Sequence, residues 1–155
     1  MKHCEFDITF TAFPSVHYSG RSLSDKNKTL WCSWVIKSAS GLYYFVGDTA
    51  YSPHIFKQIG KQFGPFDLAM VTIGTYGNRK YDVNNHTTPE EALHIGLDTK
   101  AKNILGMHWG TIEMSEEPPF EPLKRFKQEA DHLNISQNSL WIMKIGESRS
   151  LPGLY

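Results

Sequence analysis

Residues Glu5 to Phe13 alternate between apolar and polar side chains, with Phe6, Ile8 and Phe10 on one face and Asp7, Thr9 and Thr11 on the other. A period of two marks a half-buried β-strand. Leu30 to Ile36 and Leu42 to Val46 read as two more strands, joined in a hairpin by the turn Ser38-Ala39-Ser40-Gly41. Beyond them the pattern changes. His54 to Phe63 reads as a short helix stopped by Gly64-Pro65, Leu68 to Ile73 as an apolar strand, and Gly74 to His86 as a polar loop without clear period. Thr88-Pro89-Glu90-Glu91 is a capping box with proline at the first helical position, so a helix starts there and runs to about Leu97. Asn103 to Met107 reads as a strand, Pro122 to Leu133 as a helix and Leu140 to Ile145 as a closing strand. Strands first, then strands alternating with helices, place the chain in the α/β (α+β) class, with a mixed sheet flanked by helices.

The length of 155 residues suits a single domain over 1–155 with a real core, and 40% hydrophobic and 13% aromatic residues exclude a disordered chain. Lys+Arg and Asp+Glu both number 16, so no bulk charge favours nucleic acid or an anionic membrane. The apolar runs are strand-sized, which predicts no transmembrane segment. The two cysteines, Cys4 and Cys32, cannot staple a disulfide scaffold, and Met1 to Glu5 has no apolar signal core, so a cytoplasmic setting is expected.

The candidate chemistry clusters at strand exits. His17 follows the first strand, Asp48 the third, and His108 the strand Asn103 to Met107, while His86 precedes the capped helix. Ligand-bearing residues at strand ends suggest one site along a sheet edge. Each has a bland alternative. Asp48 in Gly47-Asp48-Thr49 would bridge metals or orient water, or serve as a turn aspartate. His108 in Met107-His108-Trp109-Gly110 would ligate zinc beside a shielding Trp109, or pack there with its nitrogens satisfied by backbone. His17 alone reads as a surface loop histidine, and Arg21 as an ion-pair partner or an anion clamp. His86 would act as general acid or substrate contact, or merely precede a helix. His3, His54, His94 and His132 read as surface or core fillers, and Glu90, Glu91, Glu116 and Glu117 as solvated charges and caps. No H-E-x-x-H, P-loop or G-x-S-x-G run occurs, and a nucleotide-binding α/β domain lacks its glycine fingerprint.

Taken in order, the segments Pro14-Ser15-Val16-His17-Tyr18-Ser19-Gly20-Arg21, Tyr44-Phe45-Val46-Gly47-Asp48-Thr49, Phe63-Gly64-Pro65-Phe66-Asp67, Ile73-Gly74-Thr75-Tyr76, His86-Thr87-Thr88-Pro89-Glu90-Glu91-Ala92 and His108-Trp109-Gly110-Thr111 form a joint pattern over nearly the whole chain. It resembles the metallo-β-lactamase superfamily, in the phospholipase D-like branch that cleaves N-acylphosphatidylethanolamines. The resemblance implies an αββα sandwich with zinc at the sheet edge, one or two ions, iron or manganese being alternatives. It carries metal ligation to His17, Asp48 and His108, with Asp48 bridging both ions, and a substrate or proton-transfer role to His86. Asp48 and His86 are thus the candidate catalytic residues, and Arg21, Tyr76, His86 and Trp109 the candidate substrate-binding ones. Gly77-Asn78 stands where the family tends to have Glu-Pro, a departure that bears on substrate preference. The family's first metal motif, H-x-H-x-D-H, is absent from this sequence.

The expectation is therefore the C-terminal half of a metallo-β-lactamase fold, lacking the half that carries H-x-H-x-D-H. Its expected function is metal-dependent hydrolysis of a lipid or small-molecule phosphodiester, or a similar ester, by a metal-activated hydroxide, in the cytoplasm or peripheral to a membrane. The isolated chain is expected to be inactive alone. A sheet without its packing partner exposes apolar surface, so a homo-oligomer or a complementary chain is expected. The competing reading is a catalytically incomplete half-domain that acts as an assembly or interaction module.

Overall fold

Six strands form one mixed sheet in the order in which they occur along the chain, β1-β2-β3-β4-β5-β6. The structure is a computed structural model that describes residues 7–151, apart from the side chains at 81 and 82. The strands are β1 (Thr9–Pro14), β2 (Cys32–Ser38), β3 (Gly41–Phe45), β4 (Leu68–Thr72), β5 (Ile104–Met107) and β6 (Leu140–Trp141). The helices are α1 (Pro53–Gln62), α2 (Arg79–Asp82), α3 (Pro89–Asp98) and α4 (Glu121–His132). β1, β2 and β3 pair antiparallel, and Ser38 opposite Gly41 leaves the two-residue hairpin turn Ala39-Ser40. From β3 to β6 every pairing is parallel. Each parallel step needs a crossover, supplied by α1, α3 and α4 in turn.

Strand order that always advances in one direction, with right-handed crossovers, puts every crossover helix on the same face of the sheet. The core shows this. Phe56 and Ile59 of α1, Leu93 and Ile95 of α3 and Phe126 and Ala130 of α4 join Val35, Tyr44, Ala69, Val71 and Ile104 of the strands in one buried cluster. Burying a side chain of this size stabilises the fold by about 1.5–3 kcal/mol. Gly106 on this face leaves room for Phe126, and Gly96 of α3 leaves room for Ile104.

The alternate strand positions point the other way. Phe10 is 60% exposed, Trp34 39% and Phe45 38%. With half-buried Ile36 they line a shallow apolar groove that no described element covers. The sequence pattern reads the Ile8/Phe10 face of β1 as buried. Both side chains are exposed, because the helices lie on the opposite face.

Other differences are local. Glu5 and Phe6, the start of the expected first strand, lie outside the described residues. The polar loop before His86 contains the short helix α2. The closing strand stops at Trp141 instead of Ile145. There Lys144 and Glu147 close a turn, Glu147 N–H donating to Lys144 O and Lys144 N–H to the Glu147 carboxylate, and Ile145 is left 97% exposed. Among the described residues no helix is long and apolar enough to cross a membrane.

Candidate metal centre

β1 runs antiparallel to β2 and β2 antiparallel to β3, so β1, β3, β4 and β5 all end at the same sheet edge. That edge receives His17 after β1, Asp48 after β3, Thr75 after β4 and His108 after β5. The loop from β4 returns along it to start α3, and His86 lies there, two residues before the N-cap Thr88.

The first two exits are tied together. Val16 pairs with Ala50 in an isolated bridge, Ala50 N–H donating to Val16 O at 2.8 Å. Thr49, fully buried, accepts from Val16 N–H at 2.9 Å and donates to Ala50 O. Thr49 therefore fixes the neighbours of both His17 and Asp48. Gly47 has φ +68, a conformation that costs a β-carbon residue energy, and it turns the chain so that Asp48 projects beyond the sheet.

The β4 and β5 exits interlock more tightly. A Cβ on Gly74 would overlap the His108 carbonyl oxygen, so only glycine admits this approach. Thr75 and His108 both hold positive φ, +66 and +62, and meet at Thr75 Oγ1···His108 Nδ1, 3.4 Å. Strain of this kind costs on the order of 1–3 kcal/mol per residue and persists where surroundings over-determine it. Glu117 is part of those surroundings. Its carboxylate accepts from Thr75 N–H at 2.5 Å and from Gly77 N–H at 2.8 Å. Burial raises its pKa, but hydrogen bonds from its own N–H, Thr75, Ser115 and Gly77 outweigh this and hold the carboxyl below its ordinary value. Glu117 is thus a backbone clamp, not the solvated charge that the sequence suggests. Glu90 differs from that expectation too, taking both Arg125 Nε and Nη2 at 2.8 Å.

Four side chains converge between these exits. Donor atoms of Asp48, His86 and His108 all lie within 4.8 Å of one another. His108 Nε2 is 3.4 Å from Asp48 Oδ1. The His86 ring stacks on His108, centroids 5.5 Å apart, and meets His17 edge-on at 5.3 Å. His17 Nδ1 is 2.8 Å from Tyr18 O, a carbonyl that only accepts, so Nδ1 carries the proton. Nε2, on the other side of the ring, is buried and without a hydrogen-bond partner among the described residues. A buried orphan acceptor costs energy unless something outside the chain meets it. Neutral imidazoles and a carboxylate are the donor types of zinc and related divalent ions, so the residues fit a metal.

The substrate candidates are distributed less tightly. Trp109 packs on the core beside His108, and both line a cavity of about 110 Å³ with Gly74, Thr75, Met114 and Glu117. Tyr76 is buried, its hydroxyl donating to Glu121 and its ring under the Arg125 guanidinium. Arg21 is exposed on the loop after His17, where its N–H donates to Asp25 and its side chain bonds to none of the described residues.

Residues 2–109 match the family model described as the beta-lactamase superfamily domain. The chain belongs to the metallo-β-lactamase superfamily. Within this superfamily it groups with the N-acylphosphatidylethanolamine-hydrolysing, phospholipase D-like branch. It is 38% identical over 142 residues to N-acyl-phosphatidylethanolamine-hydrolyzing phospholipase D 1 of Caenorhabditis elegans, covering 90% of this chain and 40% of that protein. It is 37% identical to the mitochondrial phospholipase D of that name from Saccharomyces cerevisiae, covering 78% of this chain and 26% of that protein. The metallo-β-lactamase-superfamily fold recurs in Igni18, a metallo hydrolase of the archaeon Ignicoccus hospitalis, with a TM-score of 0.64 at 21% identity over 90% of this chain and 51% of that one. The chain thus spans two fifths or less of the length of these two curated relatives.

Thr49, Gly74, Thr75 and Glu117 take no part in the sequence assignment of the site. Gly74-Thr75 after β4 and Gly47-Asp48-Thr49 after β3 are the sequence signals that point to the first three, and none points to Glu117.

Proposed function

We propose that this chain contributes the sheet-edge donors of a metal-dependent hydrolase acting on a phosphodiester, a lipid phosphodiester at a membrane surface being the form its relatives suggest. The convergence of Asp48, His86 and His108, with the orphan His17 Nε2 beside them, carries the reading. His17, Asp48 and His108 are the metal donors in it, and a bound divalent ion would supply Lewis-acid charge and lower the pKa of a water. The chain's own residues do the rest. Gly47, Gly74 and Glu117 pre-organise the donors, so little reorganisation is needed when substrate arrives. Trp109 shields one side of the donors, and the cavity beside it takes part of the substrate. The bare outer sheet face is where a complementary layer bearing further ligands would pack.

The assay is hydrolysis of bis(p-nitrophenyl) phosphate and of N-acylphosphatidylethanolamine vesicles. It uses the zinc-, iron- or manganese-loaded chain, alone and mixed with the H-x-H-x-D-H segment of a relative. Chelator-sensitive hydrolysis is expected in the mixture, reduced more than about a hundredfold by Asp48→Asn. No chelator-sensitive hydrolysis in any combination would contradict the reading.

A second reading, an assembly module, draws on the exposed groove of Phe10, Trp34, Ile36 and Phe45. It predicts concentration-dependent association that needs no metal.

A further inference from the structure

We propose that the loop of residues 18–30, between β1 and β2, is a membrane anchor, with Leu23 and Leu30 entering an anionic lipid bilayer while Arg21, Lys26 and Lys28 meet its headgroups. The inference rests on the lipid form of the reading above, but it concerns binding to the surface, which needs neither metal nor turnover. Leu23 and Leu30 stand in solvent, 106% and 95% exposed. Tyr18, whose ring stacks on that of His17 at 4.7 Å, is 44% exposed and joins the loop to the donor edge.

The backbone beneath these side chains is tied to itself. Asn27 N–H donates to Ser19 O at 2.7 Å and Ser19 Oγ to Thr29 O at 2.6 Å, which pins the two limbs of the loop together. At the tip the Asp25 carboxylate accepts from Arg21 N–H at 2.9 Å and Ser22 N–H at 2.8 Å, and Asp25 O accepts from Lys28 N–H at 3.1 Å. Backbone groups paired in this way need not be stripped of water when the tip enters a bilayer. A tip that is already ordered also loses little entropy on docking. Charge selects the surface. The chain is neutral overall, but residues 18–30 carry Arg21, Lys26 and Lys28 against Asp25 alone, and Asp25 is turned onto the backbone. Lys26 lies over the Tyr18 ring, 5.6 Å from its centroid. Leucine, tyrosine and cations side by side match the boundary between headgroups and acyl chains of an anionic leaflet. The loop after β5 exposes Ile112, Met114 and Phe120 at the same sheet edge, but its charges are Glu113, Glu116 and Glu117, so an anionic surface attracts the 18–30 loop instead.

Flotation of the full chain with vesicles of phosphatidylcholine, alone or mixed with phosphatidylserine, tests this. The expected result is binding to the mixed vesicles, with and without chelator, that falls as salt is raised. Leu23→Ser and Leu30→Ser are each expected to weaken it about tenfold. Lys26→Ala with Lys28→Ala is expected to weaken it about twentyfold at low salt, roughly fivefold for each cation. Melting profiles should match the wild type, because the four side chains lie at the surface of the loop. Equal binding by the wild type and by Leu23→Ser with Leu30→Ser would overturn the anchor, as would binding lost only in Phe45→Asp on the bare sheet face. Leucine variants that bind vesicles normally but no longer join the H-x-H-x-D-H segment of a relative would make the loop a protein contact and overturn it too. Because the readout is binding in the presence of chelator, absence of binding to the mixed vesicles would overturn the anchor and not the metal-hydrolase reading. Binding as expected from a chain without chelator-sensitive hydrolysis would support the anchor and contradict that reading alone.

Discussion

Side chains outside the candidate donor set hold Asp48 and His108 in place. Gly74→Ala sets a methyl against the His108 carbonyl oxygen, which strand β5 cannot accommodate without moving His108. It is expected to destabilise the fold by at least about 2 kcal/mol and to weaken metal binding, read by denaturant unfolding and calorimetry. Thr49→Val leaves the part-buried Val16 N–H unpaired, a loss of about 1 kcal/mol. Glu117 makes the clamp pH-dependent. Its folded carboxyl titrates below its ordinary value, so its contribution is complete above the ordinary glutamate range and disappears as the pH falls through the depressed value. Glu117→Gln is therefore expected to cost about 1–2 kcal/mol near neutral pH, discounted for its partial exposure, and little in acid. A loss equal at both pH values would contradict this. At this scale the sequence offers the candidate donors and conceals their supports. Asp48 and His108 sit at strand exits that the apolar runs mark out, whereas Glu117 reaches Thr75 across 42 positions, and no local pattern records that contact.

At the scale of elements, the capping box of Thr88 and Glu91 is legible because it is purely local, and α3 starts where it predicts. Thr88→Ala is expected to cost about 1 kcal/mol and to loosen His86, which lies just ahead of the cap. Thermal unfolding together with amide exchange at Thr87 and Glu91 would measure it. Strand existence is equally legible, from runs of apolar residues, but strand ends are less so. β2 lies two residues later than its apolar run because register with β1 and β3 sets its limits. β6 ends at Trp141, short of the expected Ile145, and the Lys144–Glu147 turn occupies the residues where the apolar run ends.

For the whole molecule, alternation in β1 signals one apolar face but not what covers it. Sequential strand order sends all three crossover helices to the opposite face. Phe10, Trp34 and Phe45 are left at the surface of the described chain. Phe45→Asp is expected to suppress self-association in sedimentation velocity while leaving the helix-side core intact. Unchanged association would place the contact elsewhere. The same strand order gathers the ends of β1, β3, β4 and β5 on one edge, and this makes a single centre from residues spread between His17 and His108. The most direct test of that centre is the metal content of the purified full chain after equilibration with zinc and removal of free metal. One tightly held ion per chain, lost in Asp48→Asn and His108→Gln, is the expected result. A folded wild-type chain that retains only trace metal would contradict it.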